Sequence, residues 1–177
     1  MFKKIMSVIA VCLLVLTVSG CSSSEEEVII DDQPVTDDTL VVINGLEFHL
    51  DKETSFKDLY YVITEDFREI EHDEFTPYVQ YDYRQEDDTN LLFFRVFYYQ
   101  DKGFDDAIAD LGLEGNIEFK NGSTGNIDYQ LYAEPRDDGG TIHFYFIDRE
   151  GSTYVLHFVS RYDIAQFEEK VVSSLHY

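Results

Sequence analysis

Two β-type segments separated by a two-residue turn signal constrain the fold of this chain more than any other feature. Thr141–Asp148 and Ser152–Ser160 are rich in β-branched and aromatic residues, and Glu150-Gly151 lies between them. Such a pattern predicts the two strands of an antiparallel hairpin. The chain is therefore expected to contain antiparallel sheet and not the parallel strands of repeated strand–helix–strand units.

Further segments extend this antiparallel pattern. Leu91–Tyr99 is apolar almost throughout, which predicts a central strand that is covered on both faces. Tight turns are predicted at Asn44-Gly45 and in the NGSTG and PRDDGG stretches. The other predicted strands are Leu40–Ile43, Leu46–Leu50, Tyr78–Tyr83, Asn116–Lys120 and Asn126–Glu134.

Three segments have helical signals. Thr54–Ile63 has apolar residues on one helical face, and a short helix over Phe104–Leu111 is expected to end at Gly112. Asp163 is positioned to cap a final helix, and Glu168 on that helix is expected to be a surface residue. The apolar stripe of that helix is Ile164, Phe167, Val171, Val172 and Leu175. The predicted class is α+β, an antiparallel meander of hairpins packed by a C-terminal helix and one or two short helices.

The N-terminal 21 residues have the features of an export signal. Lys3 and Lys4 precede an uncharged run from Ile5 to Val18. That run is short for a spanning helix, which needs about 20 apolar residues, and suits a secretory signal peptide. The segment ends in VSGC, Val18–Cys21, which resembles the lipobox of bacterial lipoproteins. The resemblance implies cleavage after Gly20 and a diacylglyceryl group on Cys21; an uncleaved anchor helix is the alternative.

The rest of the chain divides into a tether and one domain. Residues 21–38 are acidic and poor in apolar residues, which predicts a disordered, extended tether after the lipid-bearing cysteine. Residues 39–177 are long enough to bury a self-sufficient core as a single domain. We expect a lipid-anchored protein on the extracytoplasmic side of the cell membrane, as on a Gram-positive cell surface.

The charge of the chain limits its partners. With 36 acidic and 13 basic residues, the net charge is -23, and removal of residues 1–20 with Lys3 and Lys4 makes it -25. Such a chain has no basic surplus to bind nucleic acid or anionic headgroups, so attachment to the membrane is expected through the acyl groups on Cys21 alone. The acidity has two interpretations, attraction of a protein or cationic peptide and adaptation for solubility.

Catalytic and metal-binding signatures are missing from the sequence. There is no G-x-S-x-G elbow, no phosphate-binding glycine loop and no calcium-loop frame around the acidic pairs. If Glu150-Gly151 is the turn, His143 and His157 lie on opposite faces of the sheet and cannot share a metal. We therefore predict no catalytic, cofactor-binding or metal-binding residues.

The stretch from Leu91 to Tyr177 resembles the PsbP/Mog1-like superfamily. The shared features are an aromatic strand (FFRVFYY), a short helix that ends at Gly112, a Tyr/Phe strand pair (IHFYFIDREGSTYVLHFVS) and a C-terminal helix that ends in VVSSL. Known members mostly bind proteins and have no common catalytic set, so the resemblance implies an α+β fold and, by analogy, a binding role.

The predicted function is a non-enzymatic module that binds a protein or peptide. Aromatic density on the predicted strands suggests an interaction surface that includes Tyr98, Tyr99 and Tyr145, since tyrosine tolerates a half-wet interface. A sheet covered on both faces is the other explanation of these aromatic residues. The alternative function is a cell-wall or carbohydrate-active hydrolase that uses paired carboxylates.

Overall fold

The computed structural model describes residues 37–70, 77–84, 90–113, 115, 117–134 and 136–177. The predicted signal peptide, Cys21 as the predicted lipid attachment site and the predicted tether up to residue 36 lie outside these residues, as do His72 and Asp87-Asp88. All of the described residues belong to one structural unit, Thr36–Tyr177.

Antiparallel strands make up most of the described chain, and two helices accompany them. The helices are α1 (Phe104–Asp110) and α2 (Ala165–Ser173). This composition confirms the α+β class. The strands are β1 (Leu40–Ile43), β2 (Leu46–His49), β3 (Lys52–Phe56), β4 (Leu59–Ile63), β5 (Arg68–Ile70), β6 (Tyr78–Arg84), β7 (Asn90–Tyr99), β8 (Lys120–Thr124), β9 (Ile127–Ala133), β10 (Thr141–Arg149) and β11 (Ser152–Ser160).

Seven of these strands form one antiparallel sheet in the order β5-β6-β7-β11-β10-β9-β8. Its register pairs His143 with Phe158 and Phe144 with His157, as a two-residue turn at Glu150-Gly151 requires. The sheet departs from a single meander because β7 pairs with β11, with Phe94 opposite Phe158, instead of with β8. β7 and β11 are rich in apolar residues, and their central position buries both faces of each strand.

The predicted helix over Thr54–Ile63 is wrong, since these residues form the hairpin β3–β4. Lys57 and Asp58 form its two-residue turn, with φ values of 52° and 69°. Leu59, Tyr61 and Ile63 are buried, and Tyr60 between them is exposed. The apolar spacing that suggested a helix also fits this two-residue alternation.

The β8–β9 hairpin also differs from the prediction. The NGSTG stretch was expected to be a turn, but most of it belongs to β8, and the turn lies one step later at Gly125-Asn126. Gly122 therefore lies inside a strand, directly opposite Tyr129. A Cβ atom at position 122 would overlap the ring of Tyr129, so the ring can occupy this position because residue 122 is glycine.

The two faces of the large sheet are covered differently. We call the face that carries Phe94 and Phe158 the inner face, where α2 and the hairpins β1–β2 and β3–β4 pack. The outer face carries Phe97 and Phe146 and is covered at one end by α1. The predicted stripe of α2 is confirmed, because all of its members are buried: Ile164, Phe167, Val171, Val172 and Leu175.

The start of α2 differs from the prediction in one detail. Ile164, and not Asp163, occupies the N-cap position, which has no side-chain cap. Asp163 instead accepts a hydrogen bond from the backbone N–H of Ala165 at 2.9 Å. The predicted end of α1 is confirmed, since Gly112 follows the helix with φ of 68°.

Candidate functional site

Glu168 is a buried carboxylate in the first turn of α2. It is only 5% exposed, although its neighbours Phe167, Val171 and Val172 form the apolar stripe of the helix. The expectation that Glu168 is a surface residue is therefore wrong. In an α-helix, residue 168 lies on the same face as residues 164, 171 and 172, so the docking of the stripe carries the carboxylate toward the sheet.

One oxygen of this carboxylate is well satisfied. Oε2 of Glu168 lies 2.8 Å from Nδ1 of His143, and the Tyr145 hydroxyl donates to the same oxygen at 3.4 Å. His143 and Tyr145 alternate along β10 and so share the inner face. Both contacts thus follow from the placement of β10 beneath α2.

The other oxygen has no partner. Oε1 of Glu168 is buried and accepts no hydrogen bond from any residue that the structure describes. A buried acceptor without a donor costs on the order of 1–3 kcal/mol of stability. Native structures contain few such groups, and each calls for an explanation.

A cavity of about 360 Å³ adjoins Glu168. We call it the Glu168 cavity. The rings of Tyr129 and Tyr145, in edge-to-face contact at 5.2 Å, form part of its wall. Its lining consists of Ser123, Thr124, Tyr129, Tyr145, Ala165, Glu168, Glu169, Val172 and Ser173.

The Tyr145 hydroxyl is a hydrogen-bond donor in this site. Its burial, with the negative charge of Glu168 and the neighbouring Tyr129, raises the pKa of Tyr145. The hydroxyl therefore keeps its proton at neutral pH and donates to Glu168.

His143 is paired with Glu168 in the way that carboxylates orient general bases. The hydrogen bonds of the described residues place no nucleophile beside it. Among the described residues, the hydrogen bond of the His143 ring is to Glu168, and no serine or threonine hydroxyl bonds to it. Base-assisted attack needs a nucleophile within hydrogen-bond reach of the base. The arrangement can accept hydrogen bonds and hold positive charge, which are binding functions.

His157 lies on the outer face, away from this site. Its ring stacks on Phe144 with centroids 4.2 Å apart, and its Nδ1 is buried with no partner among the described residues. Burial, with the positive charge of Arg95, lowers the pKa of His157 to about 4. The histidine is therefore neutral at pH 7. The prediction that His143 and His157 lie on opposite faces is confirmed by the register.

The three tyrosines predicted as one interaction surface do not form one. Tyr99 is 7% exposed on the outer face, whereas Tyr145 is 8% exposed on the inner face. Tyr98 is half-buried against Tyr154, with ring centroids 4.8 Å apart. Adjacent strand residues point to opposite faces, so Tyr98 and Tyr99 cannot share a surface. Of the three, Tyr145 lines the Glu168 cavity.

A larger cavity of about 650 Å³ lies at the edge of the sheet. Two exposed carboxylates, Asp128 and Asp148, contribute to its lining. The guanidinium of Arg149 lies over the ring of Tyr177 there, 3.7 Å from the centroid. The cavity therefore contains two carboxylates, both of which are exposed to solvent.

Metal ligands do not converge in the part of the chain that the structure describes. No group of three or more histidine, cysteine, aspartate or glutamate side chains there could hold a metal ion. Nδ1 of His49 lies 3.2 Å from Oδ2 of Asp37, and Nε2 of His176 lies 3.6 Å from Oε2 of Glu53. Each of these is a pair of side chains and not a set of three. No helix among the described residues is long and apolar enough to cross a membrane.

Sequence reasoning did not find Glu168, although a signal was present. The apolar stripe of α2 has a glutamate at a position where its period calls for a buried residue. A charged residue inside an otherwise apolar stripe indicates a buried carboxylate with a partner on the facing element. Its partner residues, His143 and Tyr145, could not be read from the helix alone.

Comparison with known proteins identifies no family for this chain. No protein-family model and no curated protein matches the sequence. A crystal structure of a protein from Bacteroides thetaiotaomicron is similar at a TM-score of 0.42 and 18% identity, over 67% of this chain and 44% of that chain. The match thus spans less than half the length of that protein, and a similarity of this size supports no statement about function.

Proposed function

We propose that this protein is a lipid-anchored, non-enzymatic module that binds a protein or peptide outside the cell membrane. The observation that carries the binding role is a cavity walled by two tyrosines and lined by Glu168, whose carboxylate is buried. A preformed concave site with one precisely placed polar group is typical of ligand recognition. Among the described residues, the hydrogen bond of His143 is to Glu168 and not to a nucleophile, which favours binding over hydrolysis.

The proposed location depends on the N-terminal sequence. The VSGC ending at Cys21 and the uncharged run before it support lipid modification and export. Two or three acyl chains on Cys21 would meet the requirement for stable anchoring, at about 0.8 kcal/mol for each buried methylene. The resemblance to the PsbP/Mog1-like superfamily supports the binding role by analogy.

Site-specific photo-crosslinking in cells tests the binding role. A photoreactive residue in place of Ala165, which is exposed at the Glu168 cavity, should crosslink to a protein or peptide. The same residue in place of the exposed Ala133, which does not line the cavity, is the matched control. We expect an adduct at position 165 that is absent at 133 and is lost with Glu168→Gln. No adduct at 165, or identical adducts at both positions, would contradict the proposal.

The alternative is a hydrolase that uses paired carboxylates, and one observation favours it. Asp128 and Asp148 line the same cavity. The test is whether the purified protein cleaves cell-wall glycan and whether Asp128→Asn and Asp148→Asn each abolish the cleavage. That result would establish the hydrolase and exclude a non-enzymatic function.

A further inference from the structure

Arg95 is a partly buried cation on the outer face of the sheet, directly opposite His157. Its guanidinium lies 4.1 Å from the ring centroid of Phe93 and 5.1 Å from that of Tyr78. Its Nε donates a hydrogen bond to the side-chain oxygen of Gln80 at 2.8 Å. The two rings therefore hold the guanidinium by cation–π contact, and Gln80 fixes its orientation.

No carboxylate among the described residues forms an ion pair with Arg95, although the chain has 36 acidic residues and only 13 basic ones. The lysine and arginine ion pairs in this part of the chain involve Arg68, Lys102 and Arg136. Burial lowers the pKa of Arg95, because desolvation disfavours the charged form, but an arginine keeps its charge at neutral pH. Charges that leave water are normally paired, so Arg95 calls for an anion.

The remaining hydrogen-bond donors of Arg95 are accessible to a ligand. Gln80 takes the Nε–H group, which leaves the two terminal nitrogens of the guanidinium. Among the described residues, the buried side-chain nitrogens and oxygens without a partner are Nδ1 of His157 and Oε1 of Glu168. The terminal nitrogens of Arg95 are not in this set, so they are open to solvent. Two N–H groups of a guanidinium match the two oxygens of one carboxylate.

An apolar row lies beside Arg95 on the same face of the sheet. Phe93 on β7 is directly opposite Val159 on β11, and Val159 is directly opposite Ile142 on β10. All three side chains are only half-buried. We call them the Phe93 row. Phe93 and Arg95 are two residues apart, which is about 6.6 Å along a strand, so a ligand that reaches Arg95 can also cover this row with an apolar group.

The charge of this face favours a carboxylate over a phosphate group. Two other basic side chains lie on the same face. Arg68 is paired with Asp82, and His157 is neutral at pH 7 because its pKa is lowered to about 4. Arg95 thus supplies one free positive charge, which one carboxylate balances. A phosphate group carries a charge of about -1.5 to -2 at pH 7 and would be left only partly neutralised.

We propose that the outer face of the sheet binds the carboxyl terminus of a peptide, with the terminal carboxylate on Arg95 and the apolar side chain of the last residue on the Phe93 row. A terminal residue carries both groups on one Cα atom, whereas an aspartate or glutamate needs another residue to supply the apolar group. The site lies on the face opposite the Glu168 cavity, so it goes beyond the binding function proposed for that cavity.

Calorimetric titration of the purified full chain at pH 7 with acetyl-glycyl-glycyl-leucine tests the proposal. We expect saturable binding of this free acid. The same peptide with a C-terminal amide should bind about tenfold more weakly or worse, because it lacks the charge that pairs with Arg95. Acetyl-triglycine keeps the carboxylate but has no side chain for the Phe93 row, so it should also bind more weakly than the leucine peptide.

Two variants locate the binding. Arg95→Met removes the charge but keeps a long side chain over the rings, and it should weaken binding of the leucine peptide by about tenfold or more. Lys120→Met is the matched control, because it removes an equal charge from an exposed residue of the edge strand β8. The control should leave the affinity unchanged, and circular dichroism checks that both variants are folded.

Two further probes test other occupants of the site. Nα-acetyl-glutamate α-N-methylamide presents only a side-chain carboxylate, and inorganic phosphate presents an anion without an apolar group. If either probe binds the wild type more tightly than the leucine peptide does, the assignment to a carboxyl terminus is wrong.

The proposal can fail without any variant. Equal binding of the leucine acid and its amide to the wild type would overturn it, as would an unchanged affinity in a folded Arg95→Met protein. Crosslinking at position 165 reports on the Glu168 cavity, so its outcome and that of these titrations are independent of each other.

Discussion

Replacement of Phe167 by alanine tests how α2 is held against the inner face of the sheet. Phe167 is 0% exposed. Its ring centroid lies 5.5 Å from that of Phe67, 6.0 Å from that of Phe158 and 6.3 Å from that of Phe94. The side chain thus connects the helix to the two central strands and to the segment before β5.

The expected cost has two parts. Loss of a fully buried phenylalanine side chain forfeits about 1.5–3 kcal/mol of transfer free energy. A cavity remains as well, because the three neighbouring rings are themselves packed and cannot refill the space, and the total becomes about 3–5 kcal/mol. Domains of this kind have a free energy of unfolding of about 5–15 kcal/mol, so the variant should lose a large share of its stability.

Urea unfolding followed by circular dichroism measures this loss. With a slope of about 2 kcal/mol per molar urea, the midpoint of Phe167→Ala should fall by about 1.5–2.5 M. Glu169→Ala, an exposed neighbour on the same helix, is the matched control and should change the stability by no more than about 0.5 kcal/mol. If the midpoint of Phe167→Ala shifts no more than that of Glu169→Ala, α2 is not docked through this ring.

Three further predictions concern single residues. The pKa of His157 is lowered to about 4, whereas an unfolded histidine titrates near pH 6.5, so the unfolded state binds the proton first. The free energy of unfolding should therefore fall by on the order of 3 kcal/mol as the pH drops from about 6.5 to about 4. Urea melts across that range should show a smaller fall for His157→Gln, and a pH profile identical to that of the wild type would contradict the prediction. Gly122→Ala should cost about 1–3 kcal/mol in urea melts by displacing the Tyr129 ring, whereas wild-type stability would show that the ring has room to move. Cys21→Ser should abolish palmitate labelling and leave an unprocessed precursor, and label that persists in the variant would show that the lipid is attached elsewhere.

Two of the hairpin turns were predictable because their determinants are adjacent in the chain. Asn44-Gly45 and Glu150-Gly151 both form two-residue turns in which each residue has positive φ, as the sequence pattern predicted. Once a turn is placed, the register of its two strands follows by counting. The opposite-face arrangement of His143 and His157 was obtained in this way.

Short apolar segments were less predictable. In residues 54–63, Phe56, Leu59, Tyr60 and Ile63 fit a helical face. Leu59, Tyr61 and Ile63 also fit the alternation of a strand. The Lys57-Asp58 turn decides between them, and neither residue type marks a turn as strongly as Asn-Gly does. Burial of Tyr61 against Tyr81 and Phe94, which are distant in sequence, favours the hairpin.

The sequence by itself determined the Asn44-Gly45 and Glu150-Gly151 turns, the alternation of side chains along their strands and the apolar stripe of α2. These properties depend on backbone geometry over a few residues, which local composition specifies. Only the tertiary structure placed β7 beside β11 and brought Glu168 to His143 and Tyr145. Such contacts join residues far apart in the chain, and they form because the whole fold buries its apolar surface together. The burial of the Glu168 carboxylate is a consequence of that joint packing, so no single segment of the sequence specifies it.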